Sequence, residues 1–241
     1  MNNALTISGL TKTYKDFVLD RVSFDVPEGS IVGLIGENGA GKSTTINAVM
    51  GLIKKDAGQI SIMGKEELDN DTKEQIGVVF DGSNYPEILS PKRLNRVMKN
   101  IYHSWDEHTY RSLLKQFSLP ADKQISQFSK GMKMKLAITV ALSHNSKLLI
   151  LDEATSGLDP VIRDDILDML LDFVQDEEHS ILVSSHITSD LEKIADYIVF
   201  IHEGKVVFFK PKDELTEQYG IIKCGAAQFL SLIHISEPTR P

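Results

Sequence analysis

Residues 36 to 43 read Gly-Glu-Asn-Gly-Ala-Gly-Lys-Ser and match the phosphate-binding pattern G-x-x-x-x-G-K-[ST] at every specified position. Its glycines let the backbone turn sharply and direct N–H groups toward an anion at the start of the next helix. Lys42 is expected to reach the β and γ phosphates of a nucleotide, and Ser43 to offer its hydroxyl to Mg²⁺. The nucleotide-binding residues predicted here are Gly36, Glu37, Asn38, Gly39, Ala40, Gly41, Lys42, Ser43 and Thr44.

The segments on either side of this loop agree with that prediction. Residues 31–35 form a short apolar run that is typical of a buried parallel strand, and residues 44–52 have helical spacing. Strand, loop and helix in this order are the setting in which the motif binds phosphate. A glycine-rich turn without a ligand is the alternative, and the setting counts against it.

Two other apolar runs end in residues that could act on the same ligand. Residues 148–151 are followed by Asp152 and Glu153, and residues 181–185 by His186. Parallel sheets bind ligands at the carboxyl ends of their strands. Asp152 is therefore predicted to hold Mg²⁺, Glu153 to accept a proton from the attacking water, and His186 to bind a phosphate oxygen or orient that water. The alternative is a pair of solvated acids and a solvent-facing histidine.

Two helix starts supply further candidates. Ser129 is a good N-cap for a helical stretch that continues to residue 143, and a helix start attracts anions. Residues 156–160 form a tight polar turn with proline at the expected first helical position. Taken alone, each indicates only an ordinary helix start.

The elements that must position these residues change in character along the chain. Residues 5–8, 18–26 and 59–63 favour antiparallel strands, because 18–26 alternates apolar with polar side chains and 59–63 continues in that style. Buried-strand runs separated by helical stretches predict an α/β fold with a mainly parallel, doubly wound core sheet. These runs are residues 31–35, 76–80, 147–151 and 181–184.

Two more segments complete the predicted organisation. Helical signals dominate residues 91–143, which predicts an inserted helical subdomain at about residues 84–145. Residues 197–201 and 205–209 are joined at Glu-Gly and predict a closing hairpin.

Composition narrows the protein classes. The chain has 241 residues with 41% hydrophobic residues, enough for one large domain or a domain with an insertion. No apolar run approaches the roughly 18 residues that cross a bilayer, and the first residues lack a signal-peptide pattern, which predicts a cytoplasmic protein. The single cysteine, Cys224, excludes an internal disulfide, and a formal net charge of −8 argues against nucleic acid as the main partner.

In their order along the chain, these motifs resemble the ATP-binding subunit of an ABC transporter. The resemblance spans about residues 3 to 215 and rests on the phosphate loop, residues 129–132, 148–153 and 156–159, and His186. It implies a P-loop NTPase fold of the ABC type, with an N-terminal antiparallel β subdomain and an inserted helical subdomain. It also implies that two subunits dimerise head to tail.

The resemblance gives each motif an expected role. Glu153 would be the catalytic base, His186 the switch histidine, and Asp159 a contact across the dimer. Tyr14 would stack on adenine, with an ordinary strand residue as the alternative. The signature residues that would close over the nucleotide of the partner subunit are Ser129, Lys130, Gly131 and Met132.

Two positions depart from the family pattern. The usual signature is Leu-Ser-Gly-Gly-Gln, whereas residues 128–132 read Phe-Ser-Lys-Gly-Met, which resembles bacterial drug- and peptide-export subunits. Lys130 adds a positive charge near an incoming γ phosphate and is expected to help closure. Asp81 stands where the family has glutamine, and is predicted either to bind Mg²⁺ or to turn away.

The function implied is ATP binding and hydrolysis by a dimerising ABC ATPase that drives transport, with export favoured, through a separate membrane permease. ATP and Mg²⁺ are the expected cofactors. The expected partners are a second ABC ATPase subunit, as homo- or heterodimer, and the permease, which would hold the chain on the inner face of the membrane; nucleic acid is not expected. The alternatives are a soluble ABC ATPase acting on nucleic acid or ribosomes, and a non-hydrolysing nucleotide-dependent regulatory module.

The predicted domain covers residues 1–229. Residues 230–241 follow no pattern established upstream and resemble a translated sequencing adapter, so we interpret them as a non-native tail. The natural chain is then expected to continue beyond residue 229. A genuine flexible tail is the alternative.

Overall fold

The computed structural model describes residues 2–66, 68–81 and 85–218, which form two sheets surrounded by helices. The strands are β1 (Asn3–Thr13), β2 (Val18–Pro27), β3 (Ile31–Ile35), β4 (Ala57–Ile62), β5 (Ile76–Val79), β6 (Leu148–Asp152), β7 (Ser180–Ser185), β8 (Tyr197–His202) and β9 (Lys205–Pro211). The helices are α1 (Lys42–Val49), α2 (Asn70–Glu74), α3 (Pro91–Ile101), α4 (Glu107–Gln116), α5 (Lys130–Leu142), α6 (Pro160–Phe173), α7 (Thr188–Ile194) and α8 (Lys212–Gln218).

The N-terminal sheet is antiparallel, with strand order β2-β1-β4, as the alternating pattern predicted. Strand β1 is longer than predicted, because its polar end pairs on both sides. Thr11 lies opposite Ala57 of β4, and Lys12 lies opposite Leu19 of β2. Backbone pairing therefore extends the strand beyond the segment that the apolar spacing indicated.

The core sheet has strand order β5-β6-β7-β3-β8-β9. Its first five strands are parallel and β9 runs antiparallel to β8, which confirms the predicted α/β fold and closing hairpin. Both faces are covered, since alternate residues of β6 enter different hydrophobic clusters. Leu148 and Ile150 pack on the side of α1, while Leu149 and Leu151 pack on the side of α5, α6 and α7.

Between β5 and β6 the described residues form helices α3, α4 and α5 and a short 3₁₀ turn, Ile125–Gln127. They enclose a hydrophobic cluster of their own, which contains Leu94, Tyr110 and Leu136. The bounds of the helical subdomain, about residues 84–145, stay a prediction. Cys224 and the predicted tail at residues 230–241 lie outside the described residues. Within the described ranges, no helix combines the length and apolar character needed to cross a membrane.

Five parallel strands bring their carboxyl ends to the same edge of the core sheet. The phosphate-loop sequence follows β3, Asp81 is the second residue after β5, Asp152 ends β6, and His186 follows β7. Topology therefore gathers the predicted chemical groups along one edge, in the order set by the strands.

Candidate functional site

The phosphate-loop segment adopts a conformation that its glycines require. A side chain at Gly36 would place its Cβ 2.4 Å from the carbonyl oxygen of Ile201 on β8, so only glycine fits there. Gly41 precedes α1 with a φ of 114°, a left-handed value that disfavours residues with a side chain. Ala40 N–H donates to the Glu37 carbonyl oxygen at 3.1 Å. The loop is thus a tight turn that leads directly into a helix N-terminus, which is suited to anion binding.

The ammonium group of Lys42 lies inside this loop. The side chain is 5% exposed, and Nζ donates to the carbonyl oxygens of Gly36 at 2.7 Å and Glu37 at 3.2 Å. A third oxygen, Oε1 of Glu153, lies 3.1 Å from the same Nζ. Lys42 is therefore held by oxygen acceptors at the position from which it would serve the phosphates of a bound nucleotide.

Glu153 connects Lys42 to His186. Its Oε2 lies 2.6 Å from Nδ1 of His186, while its Oε1 is buried and accepts no hydrogen bond from the part of the chain that the structure describes. The residue has a φ of 52°, in the left-handed region that costs a non-glycine residue roughly 1–2 kcal/mol. Such strain at a residue whose carboxylate contacts both Lys42 and His186 marks a functional position.

Ser184 is a site residue that sequence reasoning missed. Its hydroxyl donates to Oδ1 of Asp152 at 2.6 Å and accepts from the N–H of Glu153 at 3.0 Å, so one side chain holds both acidic residues in place. Ser184 pairs with Asp152 in the register of β6 and β7 and is fully buried. The available signal was a serine near the end of an apolar strand that neighbours the acidic one.

The residues predicted to hold Mg²⁺ fit that ion only in part. Ser43, in the first turn of α1, is exposed, and Asp152 retains an oxygen not used by Ser184; both are oxygen donors of the kind Mg²⁺ prefers. Among the described residues, no three His, Cys, Asp or Glu side chains form a metal-binding group. Any Mg²⁺ here would therefore depend on few protein ligands, together with phosphate oxygens and water.

The structure pairs Asp81 with Lys130 of the signature. Its Oδ1 lies 3.0 Å from Nζ of Lys130, and both side chains are about half exposed, at 52% and 47%. The magnesium role of Asp81 stays a prediction, and its carboxylate would have to leave Lys130 to perform it.

The signature residues begin helix α5, as predicted. Ser129 caps the helix, and its Oγ accepts from the N–H of Met132 at 3.2 Å. Gly131 packs against α6, since a Cβ there would come within 2.6 Å of Cδ1 of Ile162. Ser129 and Lys130 are exposed.

The remaining two predicted site residues lie at the surface. Asp159 is exposed directly before α6, and its side chain makes no capping hydrogen bond. Tyr14 is 44% exposed, and its N–H donates to the carbonyl oxygen of Phe17 at 2.8 Å. A Cβ on Gly41 would lie 3.1 Å from Cζ of Phe17, so this turn adjoins the loop. Both positions suit the predicted contacts with a partner and with adenine, which stay predictions.

Comparison with known proteins gives the family. The model of the ABC transporter family matches residues 19–156. The lantibiotic transport ATP-binding protein SrtF of Streptococcus pyogenes is 37% identical and covers 87% of this chain and 91% of its own. The bacitracin transport ATP-binding protein BcrA of Bacillus licheniformis is 33% identical over 90% of this chain and 73% of its own.

Solved structures agree with these relatives. The ATP-binding subunit of an ABC transporter is 29% identical, with a TM-score of 0.79 over 96% of this chain and 99% of its own. A dimeric ATP-binding cassette in a post-hydrolysis state with ADP and Pi has the same fold, with a TM-score of 0.75 and 24% identity over 86% of this chain and 98% of its own. The motif order, the network of Lys42, Glu153 and His186 and these matches lead to one conclusion: the chain belongs to the ABC transporter family, as an ATP-binding subunit and ATPase whose ATP hydrolysis serves transport.

Proposed function

We propose that this chain pairs head to tail with a second ABC ATPase subunit, and that ATP hydrolysis between them drives export of antimicrobial peptides through a separate permease. The observation that carries the proposal is the connected set of Lys42, Glu153 and His186 in one chain, with the signature beside the outer strand β5, three strands away from β3. In this arrangement the chain is bound to the inner face of the membrane by the permease alone.

The chemistry assigned to each residue follows from its contacts. Lys42 neutralises the β and γ phosphates, and Glu153 accepts the proton of the attacking water through the carboxylate that now contacts His186. His186, with Nδ1 committed to Glu153, can present its other ring nitrogen to the γ phosphate. Mg²⁺, held by Ser43 and Asp152, would neutralise charge on the phosphates.

The need for a second subunit is supported by distances across the core sheet. Strand β5 is separated from β3 by β6 and β7, and three spacings of about 4.8 Å put Asp81 roughly 14 Å from the strand end that leads into the loop. Lys130 is bonded to Asp81. The signature of one chain is therefore remote from its own Lys42 and faces solvent, where a partner's nucleotide can reach it.

Complementation of two inactive chains tests this arrangement. We expect Lys42→Met and Ser129→Arg chains each to lose ATPase activity, because one cannot hold nucleotide and the other has a bulky cation in its signature. Mixed one to one, they should recover up to about a quarter of wild-type activity. Half of the dimers are then mixed, and each mixed dimer has one intact site of two. ATPase activity of the mixture is the measurement.

Chains that carry both substitutions, mixed one to one with the Lys42→Met chain, form the matched control, because no dimer in that mixture joins an intact loop to an intact signature. If the first mixture stays as inactive as its components, while the wild type is active, the signature acts within its own chain.

The direction and cargo of transport are supported by the relatives and by the signature variant. SrtF is named for lantibiotic transport and BcrA for bacitracin transport. We expect a neighbouring reading frame to encode a protein with several membrane spans. Co-expression of both genes in a sensitive host should raise the inhibitory concentration of bacitracin or a lantibiotic, and Glu153→Gln should abolish the gain. Equal sensitivity with and without the intact pair would contradict export of these peptides.

A magnesium titration tests the role predicted for Asp81. Asp81→Gln is expected to retain ATPase activity, because glutamine restores the residue usual in the family, and to shift the Mg²⁺ dependence, because an amide replaces a charged ligand. ATPase rate against Mg²⁺ concentration at fixed ATP is the measurement. An unchanged titration would remove Asp81 from the metal site.

A further inference from the structure

The two positions that depart from the family pattern contact each other. Asp81 stands where glutamine is usual and Lys130 where glycine is usual, and their charged groups lie 3.0 Å apart although they are 49 positions apart in the sequence. A Cβ on Gly157 would lie 3.4 Å from the same Nζ. The ammonium group of Lys130 thus lies between the residues that follow β5 and the turn that precedes Asp159.

The helix that begins at Lys130 is tied to its neighbour α6. Gly131 packs tightly on Ile162, and Lys135 of α5 lies 2.7 Å from Asp165 of α6. Helices α5 and α6 are therefore joined by packing and by charge. The contact of Lys130 with Asp81 adds a third connection, from the start of α5 to the strand β5.

We infer that Asp81 and Lys130 form an electrostatic latch. Asp81 keeps the ammonium group of Lys130 paired within its own chain until the nucleotide of a partner subunit binds that ammonium group. The inference rests on the proposed function, since it needs a nucleotide delivered by a second subunit. Asp81 and the γ phosphate are both anionic and compete for one ammonium group. Closure of the dimer must then break the pair, and Asp81 raises the ATP concentration at which closure occurs.

The expected size of the effect follows from exposure. Both side chains are about half exposed, and exposed ion pairs shift an equilibrium by up to about five-fold. Asp81→Asn keeps the shape of the residue and removes its charge, so it frees Lys130. We expect it to lower the ATP concentration for half-maximal dimerisation by about two- to five-fold.

The full chain with Glu153→Gln, which suppresses hydrolysis, provides the background for the test. Dimerisation is measured by analytical ultracentrifugation across an ATP series at saturating Mg²⁺, so that any metal contribution of Asp81 is minimal. Lys130→Gln is added alone and together with Asp81→Asn, because a residue that acts through Lys130 must lose its effect when Lys130 is gone. Glu87→Gln is the matched control: it removes an exposed acid that pairs with Lys133 of the same helix.

The latch requires that Asp81→Asn lower the ATP concentration for half-maximal dimerisation, here called the midpoint. It also requires that this shift disappear in the Lys130→Gln background, and that Glu87→Gln leave the midpoint unchanged. An unchanged or higher midpoint, or the same shift without Lys130, overturns the latch and leaves the proposed dimer intact. If no variant dimerises with ATP, the proposed function fails, and the latch fails with it.

Discussion

Glu153→Gln is expected to lower the rate of ATP hydrolysis by about 100-fold or more, the usual contribution of a positioned general base. The amide keeps the size of the carboxylate but cannot accept the proton of the attacking water. ATP binding should persist, because Lys42 loses only the acid at 3.1 Å and becomes more available to phosphate. ATP-bound dimers should therefore accumulate, which single-turnover kinetics and light scattering can measure.

The matched control for this substitution is Glu178→Gln, the same chemical change at an exposed acid that pairs with Lys147. It should hydrolyse ATP at the wild-type rate. Hydrolysis that survives undiminished in Glu153→Gln would exclude Glu153 as the base and leave His186 as the remaining candidate.

Lys42→Met is expected to weaken ATP binding by about 100-fold, since hydrogen bonds from a charged donor contribute up to about 3 kcal/mol. Methionine fills much of the volume of the buried lysine stem but supplies no charge for the phosphates. Oε1 of Glu153 also loses its ion pair with Lys42 and would repel an incoming phosphate. Equilibrium binding of a fluorescent ATP analogue is the measurement.

Lys65→Met serves as control, because Lys65 is half exposed and pairs with Asp69 at the surface. Its ATP affinity should equal that of the wild type. Circular dichroism must show that the Lys42→Met chain is folded. A folded chain with wild-type ATP affinity would separate Lys42 from the phosphates and contradict the site described above.

The sequence predicted those features that depend on neighbours along the chain. Apolar runs predicted the buried strands, the glycine-rich loop predicted a tight turn before a helix, and Ser129 predicted a helix cap. Pairing between distant segments was beyond reach, which is why β1 was predicted too short. The hydroxyl of Ser184 depends on the register of β6 with β7, and the contact of Asp81 with Lys130 depends on how α5 docks.

Strain at Glu153 shows another limit of sequence reasoning. Its left-handed φ is unusual for a glutamate, and no local pattern indicates it. The backbone takes this value where its N–H reaches Ser184 and its two carboxylate oxygens reach Lys42 and His186. Contacts from three separate segments thus fix a conformation that the residue type disfavours.

Each subunit contains two half-sites, which are the phosphate loop with Glu153 and the signature at the start of α5. The packing of Gly131 on Ile162 connects them mechanically. Helix α6 begins seven residues after Glu153, and it is the surface on which the signature rests. In the proposed dimer, a displacement of Ser129 by the partner's nucleotide would be transmitted through α6 to the acidic segment that serves the chain's own nucleotide. Each subunit then senses two nucleotides at once, and hydrolysis should rise sigmoidally with ATP concentration instead of following two independent sites.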